Sequence, residues 1–85
     1  MRKLIFEKSA QEDIFYWAKT DSKVLKKIID LIEDTQRNPF GGKGKPEALK
    51  YDLSGFWSKR INEEHRLVYK ITDFEIIVVQ CRFHY

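Results

Sequence analysis

Cysteine is nearly absent from this chain of 85 residues: Cys81 stands alone. No internal disulfide can form, and with only His65 and His84 beside it there is no Cys/His set for tetrahedral zinc. A reducing cytoplasm is the expected location. The 4 Gly and 2 Pro are too few for a collagenous or low-complexity chain. Long apolar runs are missing too. The longest aliphatic stretch, residues 76–79, falls far short of the roughly 20 residues of a membrane helix, and no apolar segment near the N-terminus precedes a small-residue cleavage site. Neither a membrane association nor export is expected. Charge of a single sign does not dominate either: 16 Lys and Arg against 13 Asp and Glu leave +3, a mild balance compatible with nucleic-acid binding.

What is present suits an ordinary globular protein, with 42% hydrophobic and 34% charged residues. A chain of this size buries roughly 60–65% of the surface its unfolded form exposes, enough for one core. A single domain over residues 1–85 is expected. Residues 3–6 (Lys-Leu-Ile-Phe) read as a first strand. Ser9 and Glu12 have the spacing of a capping box, and Ala10, Ile14, Trp17 and Ala18 recur with helical period. Thr20-Asp21-Ser22 offers a break and a new N-cap. Val24, Ile28, Leu31 and Ile32 then predict a second helix to about Arg37, where Asn38-Pro39 stops it. The run Phe-Gly-Gly-Lys-Gly-Lys-Pro over residues 40–46 predicts a cationic loop. Beyond it the period falls to two, giving strands over 56–61, 65–71 and 75–83 and a shorter candidate over 49–53, with turns at 62–64 and 72–74. This order predicts an α+β fold, an antiparallel sheet with two N-terminal helices packed on one face.

Three features carry possible chemistry. If Asn62-Glu63-Glu64 forms a loop, Arg60 faces Arg66, an unfavourable like-charge pair. Either both guanidiniums reach solvent or an anion sits between them, and the planar fork of arginine suits phosphate. A two-residue loop would remove the pairing. In the last strand Gln80, Arg82 and His84 alternate with Cys81, Phe83 and Tyr85. His84 is either a solvated chain end or a proton donor, since imidazole titrates closest to neutrality. A regular strand would send His84 and Tyr85 to opposite faces, so a site using both requires the chain to leave strand geometry. Glu47, between Lys-Gly-Lys-Pro and Lys50, is either a salt-bridged surface carboxylate or a proton acceptor in a positive neighbourhood.

Other motifs fail. Residues 41–45 lack the spacing of a phosphate-binding P-loop, Ser54-Gly55 has no hydrolase elbow around it, and the acidic residues lack calcium-loop spacing. Phe56, Trp57 and Tyr69 stand at strand spacing and are assigned to core or interface. The Arg, Lys, Glu, His and Tyr side chains suit metal-free RNA cleavage. A base takes the ribose 2′-hydroxyl proton, the oxygen attacks phosphorus, cations stabilise the phosphorane and an acid protonates the leaving 5′-oxygen. Composition alone does not choose this reaction over plain RNA binding.

Four blocks, Asn38-Pro-Phe-Gly-Gly-Lys-Gly-Lys-Pro-Glu-Ala-Leu-Lys50, Leu53-Ser-Gly-Phe-Trp-Ser-Lys-Arg-Ile61, Glu63-Glu-His-Arg-Leu-Val-Tyr69 and Cys81-Arg-Phe-His-Tyr85, resemble the YoeB toxins of bacterial type II toxin–antitoxin pairs. These toxins belong to the RelE-like superfamily, and the likeness spans essentially the whole chain. It implies a RelE-like, microbial-RNase-like fold. It also implies an endoribonuclease that needs neither metal nor cofactor, cuts messenger RNA in the ribosomal decoding site and so inhibits translation. A YefM-type antitoxin and a homodimer are further implications. By the same resemblance Glu47 matches the general base, His84 the general acid, Arg66 the phosphorane-stabilising arginine and Tyr85 a terminal tyrosine that helps hold the site. Lys50 and Arg60 match residues that bind the RNA backbone or the transition state, and Lys43 and Lys45 fit the basic loop. Lys59 stands where arginine is common. The competing expectation is a binding module on the same scaffold, one that blocks a protein such as gyrase or occupies the ribosome without cutting.

Overall fold

Strand β1 (Lys3–Phe6) leads into helices α1 (Lys8–Thr20) and α2 (Ser22–Arg37). Strand β2 (Glu47–Ala48) follows, then a 3₁₀ turn over Tyr51–Leu53, β3 (Phe56–Arg60), β4 (Arg66–Ile71) and β5 (Glu75–Gln80). The computed structural model describes residues 2–84. The strands form one sheet in the order β1-β5-β4-β3-β2. The α+β class and the helix pair on one face agree with the periodicities. The sheet, however, is mixed: β2 to β5 run antiparallel to their neighbours, but β1 pairs in parallel with β5, with Lys3 opposite Glu75 and Phe6 opposite Val78. Parallel partners need a long crossover, and the helices and the meander that separate β1 from β5 supply it.

The helix start at Lys8 overturns the capping box. Glu7 occupies the N-cap without a side-chain bond, and the Ser9 hydroxyl donates instead to the Val79 carbonyl at 2.7 Å. The second helix follows the sequence reading closely. The Asp21 carboxylate accepts from the backbone N–H groups of Lys23 and Val24, and the helix ends at Arg37, before Asn38-Pro39. The strand candidate over 49–53 is displaced, because β2 lies at Glu47–Ala48 and Tyr51 has φ +57°, outside the extended range.

Alternation sorts β3 and β4 into two faces. Leu67 and Tyr69 meet Ala10 and Trp17 of α1 and Ile28 and Leu31 of α2 in the core. Each large aliphatic side chain fully buried there contributes about 1.5–3 kcal/mol of transfer free energy. Arg66 and Val68 point to the opposite face. Lys59, opposite Leu67, enters the core side with its side chain fully buried, 3.5 Å from Asp34 Oδ2 and over the Tyr69 ring. Its Nζ also donates to the Asn38 carbonyl, and the Tyr69 hydroxyl donates to the Pro39 carbonyl. This buried group ties the end of α2 to the sheet.

Candidate active site

The face away from the helices carries the polar residues of β2, β3 and β4, and strand register decides which of them meet. Glu47 stands opposite Ser58. Ser58 and Arg60 share a face two residues apart, and Arg60 stands opposite Arg66. Directly opposed residues point to the same side of a sheet, so register alone gathers Glu47, Ser58, Arg60 and Arg66. These four, with Lys45 and His84, line one open cleft of about 320 Å³.

The like-charge pair is accommodated by the hairpin turn. Arg66 Nη1 donates to the carbonyls of Asn62 at 2.6 Å, Glu63 at 3.2 Å and His65 at 3.0 Å. Asn62 Oδ1 in turn accepts from the backbone N–H groups of Glu64 and His65. Carbonyl dipoles thus hold one guanidinium beside the exposed Arg60.

The cationic loop reaches the cleft through Asp34 and two glycines. The carboxylate of Asp34 accepts from the Lys43 N–H at 2.8 Å. That bond, more than the Coulomb attraction of Lys59, holds it below the usual carboxylate range despite the opposing effect of burial. Burial pushes the Lys59 ammonium down, and Asp34 offsets part of the effect. Gly42 and Gly44 have φ +82° and +86°. A Cβ on Gly44 would come within 2.9 Å of the Lys59 Cβ, and its carbonyl accepts from the Arg60 N–H at 2.6 Å. The loop is thereby laid against β3, bringing Lys45 beside Arg60.

The end of the chain arrives by a different route. Strand β5 stops at Gln80, three residues short of the expected limit, after a register shift that pairs Val68 with Gln80 and Tyr69 with Val78. This irregularity puts Gln80 on the face of Val68. Its Nε2 donates to the carbonyls of Arg82, Phe83 and His84 at 2.7, 3.2 and 2.8 Å. Cys81 turns inward: its N–H donates to Asp13 Oδ2 and its carbonyl accepts from Trp17 Nε1. Burial, with the charge of Asp13, pushes the Cys81 thiol up to about 12. Phe83 has φ +65°, and that reversal, three residues past the strand end, carries the backbone to His84. His84 Nε2 lies 3.3 Å from the Glu63 carbonyl.

Among the sequence-derived candidates, Lys45, Glu47, Arg60, Arg66 and His84 therefore share the cleft. Lys43 lines a neighbouring groove with Lys27. Lys50 is exposed after β2 and is not among the cleft residues. Tyr85 lies outside the described residues. Sequence reasoning missed Ser58, although its position two residues before Arg60 on one strand would have found it. It also missed Asp13 and Trp17, whose bonds to the chain end have no local signature, and it placed Gln80 on a polar face without assigning it the carbonyls that follow. Among the described residues no group of three or more His, Cys, Asp and Glu is placed to hold a metal ion.

Comparison with known proteins agrees with the resemblance carried by the motifs. Residues 6–85 match the family model for the YoeB-like toxin of bacterial type II toxin–antitoxin systems. Toxin YoeB of Escherichia coli K12 is 57% identical over 83 residues, covering 98% of this chain and 99% of that protein. The solved structure of a YoeB/ParE toxin from Agrobacterium tumefaciens superposes with a TM-score of 0.93 at 47% identity, over 98% of this chain and 99% of that one. A YoeB dimer from Staphylococcus aureus gives 0.91 at 44% identity, over 99% and 98%. A heterotetrameric YoeB–YefM complex from the same organism gives 0.90 at 43%, over 100% and 99%.

Proposed function

The chain belongs to the family of YoeB-like toxins of bacterial type II toxin–antitoxin systems, and from that premise we propose that it is a metal-independent, ribosome-dependent messenger RNA endoribonuclease. One observation carries the reading: a carboxylate, an imidazole and three cationic side chains line one open cleft. In the proposed reaction Glu47 takes the proton of the ribose 2′-hydroxyl and the freed oxygen attacks the adjacent phosphorus. Arg66, with Arg60 and Lys45, stabilises the charge of the phosphorane. The bond to the 5′-oxygen then breaks as His84 protonates the leaving group. The products are a 2′,3′-cyclic phosphate, or the 3′-phosphate after hydrolysis, and a free 5′-hydroxyl. Tyr85 helps hold the site, Lys50 contacts the RNA backbone and Lys43 adds to the positive field.

The ribosome supplies the message in the decoding site, and cutting there stops translation in the cytoplasm. The proposed regulator is a YefM-type antitoxin, whose acidic segment would cover the basic cleft and offset the repulsion between Arg60 and Arg66. The Staphylococcus aureus dimer and complex support a homodimer and an antitoxin-bound form.

The test is incubation with programmed ribosomes in the presence of a chelator, with the cut ends mapped. The unaltered protein is expected to yield discrete ends. Glu47→Ala and His84→Ala are each expected to slow cutting by about 10²–10⁴-fold while remaining folded. Arrest without discrete ends would favour a module that blocks the ribosome, and full activity in both variants would refute the assignment.

A further inference from the structure

Beside Arg66, and absent from the reaction above, stands a second imidazole. His65 is half-buried between two aromatic rings: its centroid lies 4.8 Å from that of Trp17 in an edge arrangement and 6.0 Å from that of Phe83. Its Nδ1 accepts a hydrogen bond from the Phe83 backbone N–H at 2.8 Å. The neighbouring Arg66 N–H donates to the Phe83 carbonyl at 2.9 Å. Two consecutive residues, His65 just before β4 and Arg66 at its start, therefore grip both backbone groups of the one residue whose left-handed φ of +65° carries the chain to His84.

We infer that His65 is a positioning residue: its neutral imidazole, with Nδ1 bare and the hydrogen on Nε2, fixes the turn at Phe83 and so aims His84 into the cleft. The chemistry singles out this side chain. A non-glycine residue at positive φ is disfavoured, so the turn at Phe83 needs an external tie, and the acceptor at Nδ1 supplies it by satisfying the Phe83 N–H. The Trp17 ring, itself fixed by its bond to the Cys81 carbonyl, backs the imidazole and sets its orientation. A misplacement of about 1 Å in an acid or base can cost on the order of 10²-fold in rate, which sets the scale of what this bond governs.

The inference rests on the cleavage reading for its consequence but not for its geometry, and two measurements on the full chain separate them. Long-range proton–nitrogen correlation spectra of the imidazoles, at neutral to alkaline pH, are expected to show His65 as the Nε2–H tautomer. An Nδ1–H tautomer would overturn the inference whatever the protein does to RNA. In the programmed-ribosome assay His65→Leu is expected to lower kcat by about tenfold to a hundredfold with KM for the ribosome unchanged. His65→Asn, which returns an acceptor oxygen near the former Nδ1, is expected to recover most of the lost rate. Full kcat in folded His65→Leu, or a folded His65→Asn as slow as His84→Ala, would overturn the proposal. Should His65→Leu not fold, the tautomer and the Asn variant decide. Absence of cutting by the unaltered protein would instead remove the cleavage reading, and the spectrum would still decide the bond.

Discussion

The two sides of the cleft are held in place by different physics. Glu47, Ser58, Arg60 and Arg66 stand where strand register puts them, each opposite or two residues from another. His84 stands past the end of β5, where a register shift, a residue at positive φ and donors and acceptors from remote parts of the chain set its place. Register is fixed by many cooperative backbone bonds and by the burial of one face, so the first side is built into the stability of the fold. The second depends on a handful of side chain to backbone bonds, each worth about 0.5–1.5 kcal/mol. It can be loosened while the fold persists.

That contrast is open to test, and the largest effect on stability is expected beneath the register-held side, at the buried pair that ties α2 to β3. Asp34→Ala would leave the buried Lys59 ammonium with the Asn38 carbonyl at 3.5 Å in place of its carboxylate. Breaking one partner of a buried ion pair costs about 3–5 kcal/mol, a large share of the 5–15 kcal/mol typical of a domain. Chemical denaturation should show the loss. Asp34 also sets an acid dependence. Its carboxyl is held below 3.8 in the fold, so the unfolded chain takes up the proton first as pH falls. Its stabilisation is complete above that value and drains away as pH drops through the folded one. Asp34→Asn should therefore flatten the fall of stability in acid, and an unchanged slope would show that other carboxylates govern it.

At the other side, Gln80→Leu removes the three bonds to the carbonyls of Arg82, Phe83 and His84. The expected result is a loss of cleavage of about tenfold to a hundredfold, with a far smaller change in denaturation midpoint than Asp34→Ala gives. Equal loss of stability in the two variants would erase the distinction between the sides. The smallest effects belong outside the cleft. Lys43→Ala and Lys50→Ala should each weaken RNA association a few-fold and reduce its dependence on salt, leaving kcat almost unchanged.

The same contrast explains what could be read from the sequence. The facing of Arg60 and Arg66 followed from period-two alternation and a three-residue turn, both local signals. The site of β2 did not, because a two-residue strand has too few residues to show alternation, and the candidate over 49–53 was drawn to Leu49 and Leu53. Nothing in the alternation marks Lys59 as buried, since a lysine is rarely buried without a partner. Asp34, on the preceding helix, is that partner, and no local window contains both. For the chain end, alternation showed that His84 and Tyr85 need a break in strand geometry to share a site. It could not locate the break, because the groups that impose it, Asp13, Trp17 and His65, are joined to residues 81–83 only by the tertiary fold.

The central claim is that Glu47 and His84 act on a single phosphodiester as base and acid, and one substitution in the substrate tests it directly. A ribosome-bound message whose scissile 5′-oxygen is replaced by sulfur has a leaving group that departs without a proton. His84→Ala should cut this message at close to the rate of the unaltered protein, while Glu47→Ala should remain slow. If His84→Ala stays as impaired on the sulfur-substituted message as on the normal one, His84 is not the acid and the proposed division of labour across the cleft is wrong.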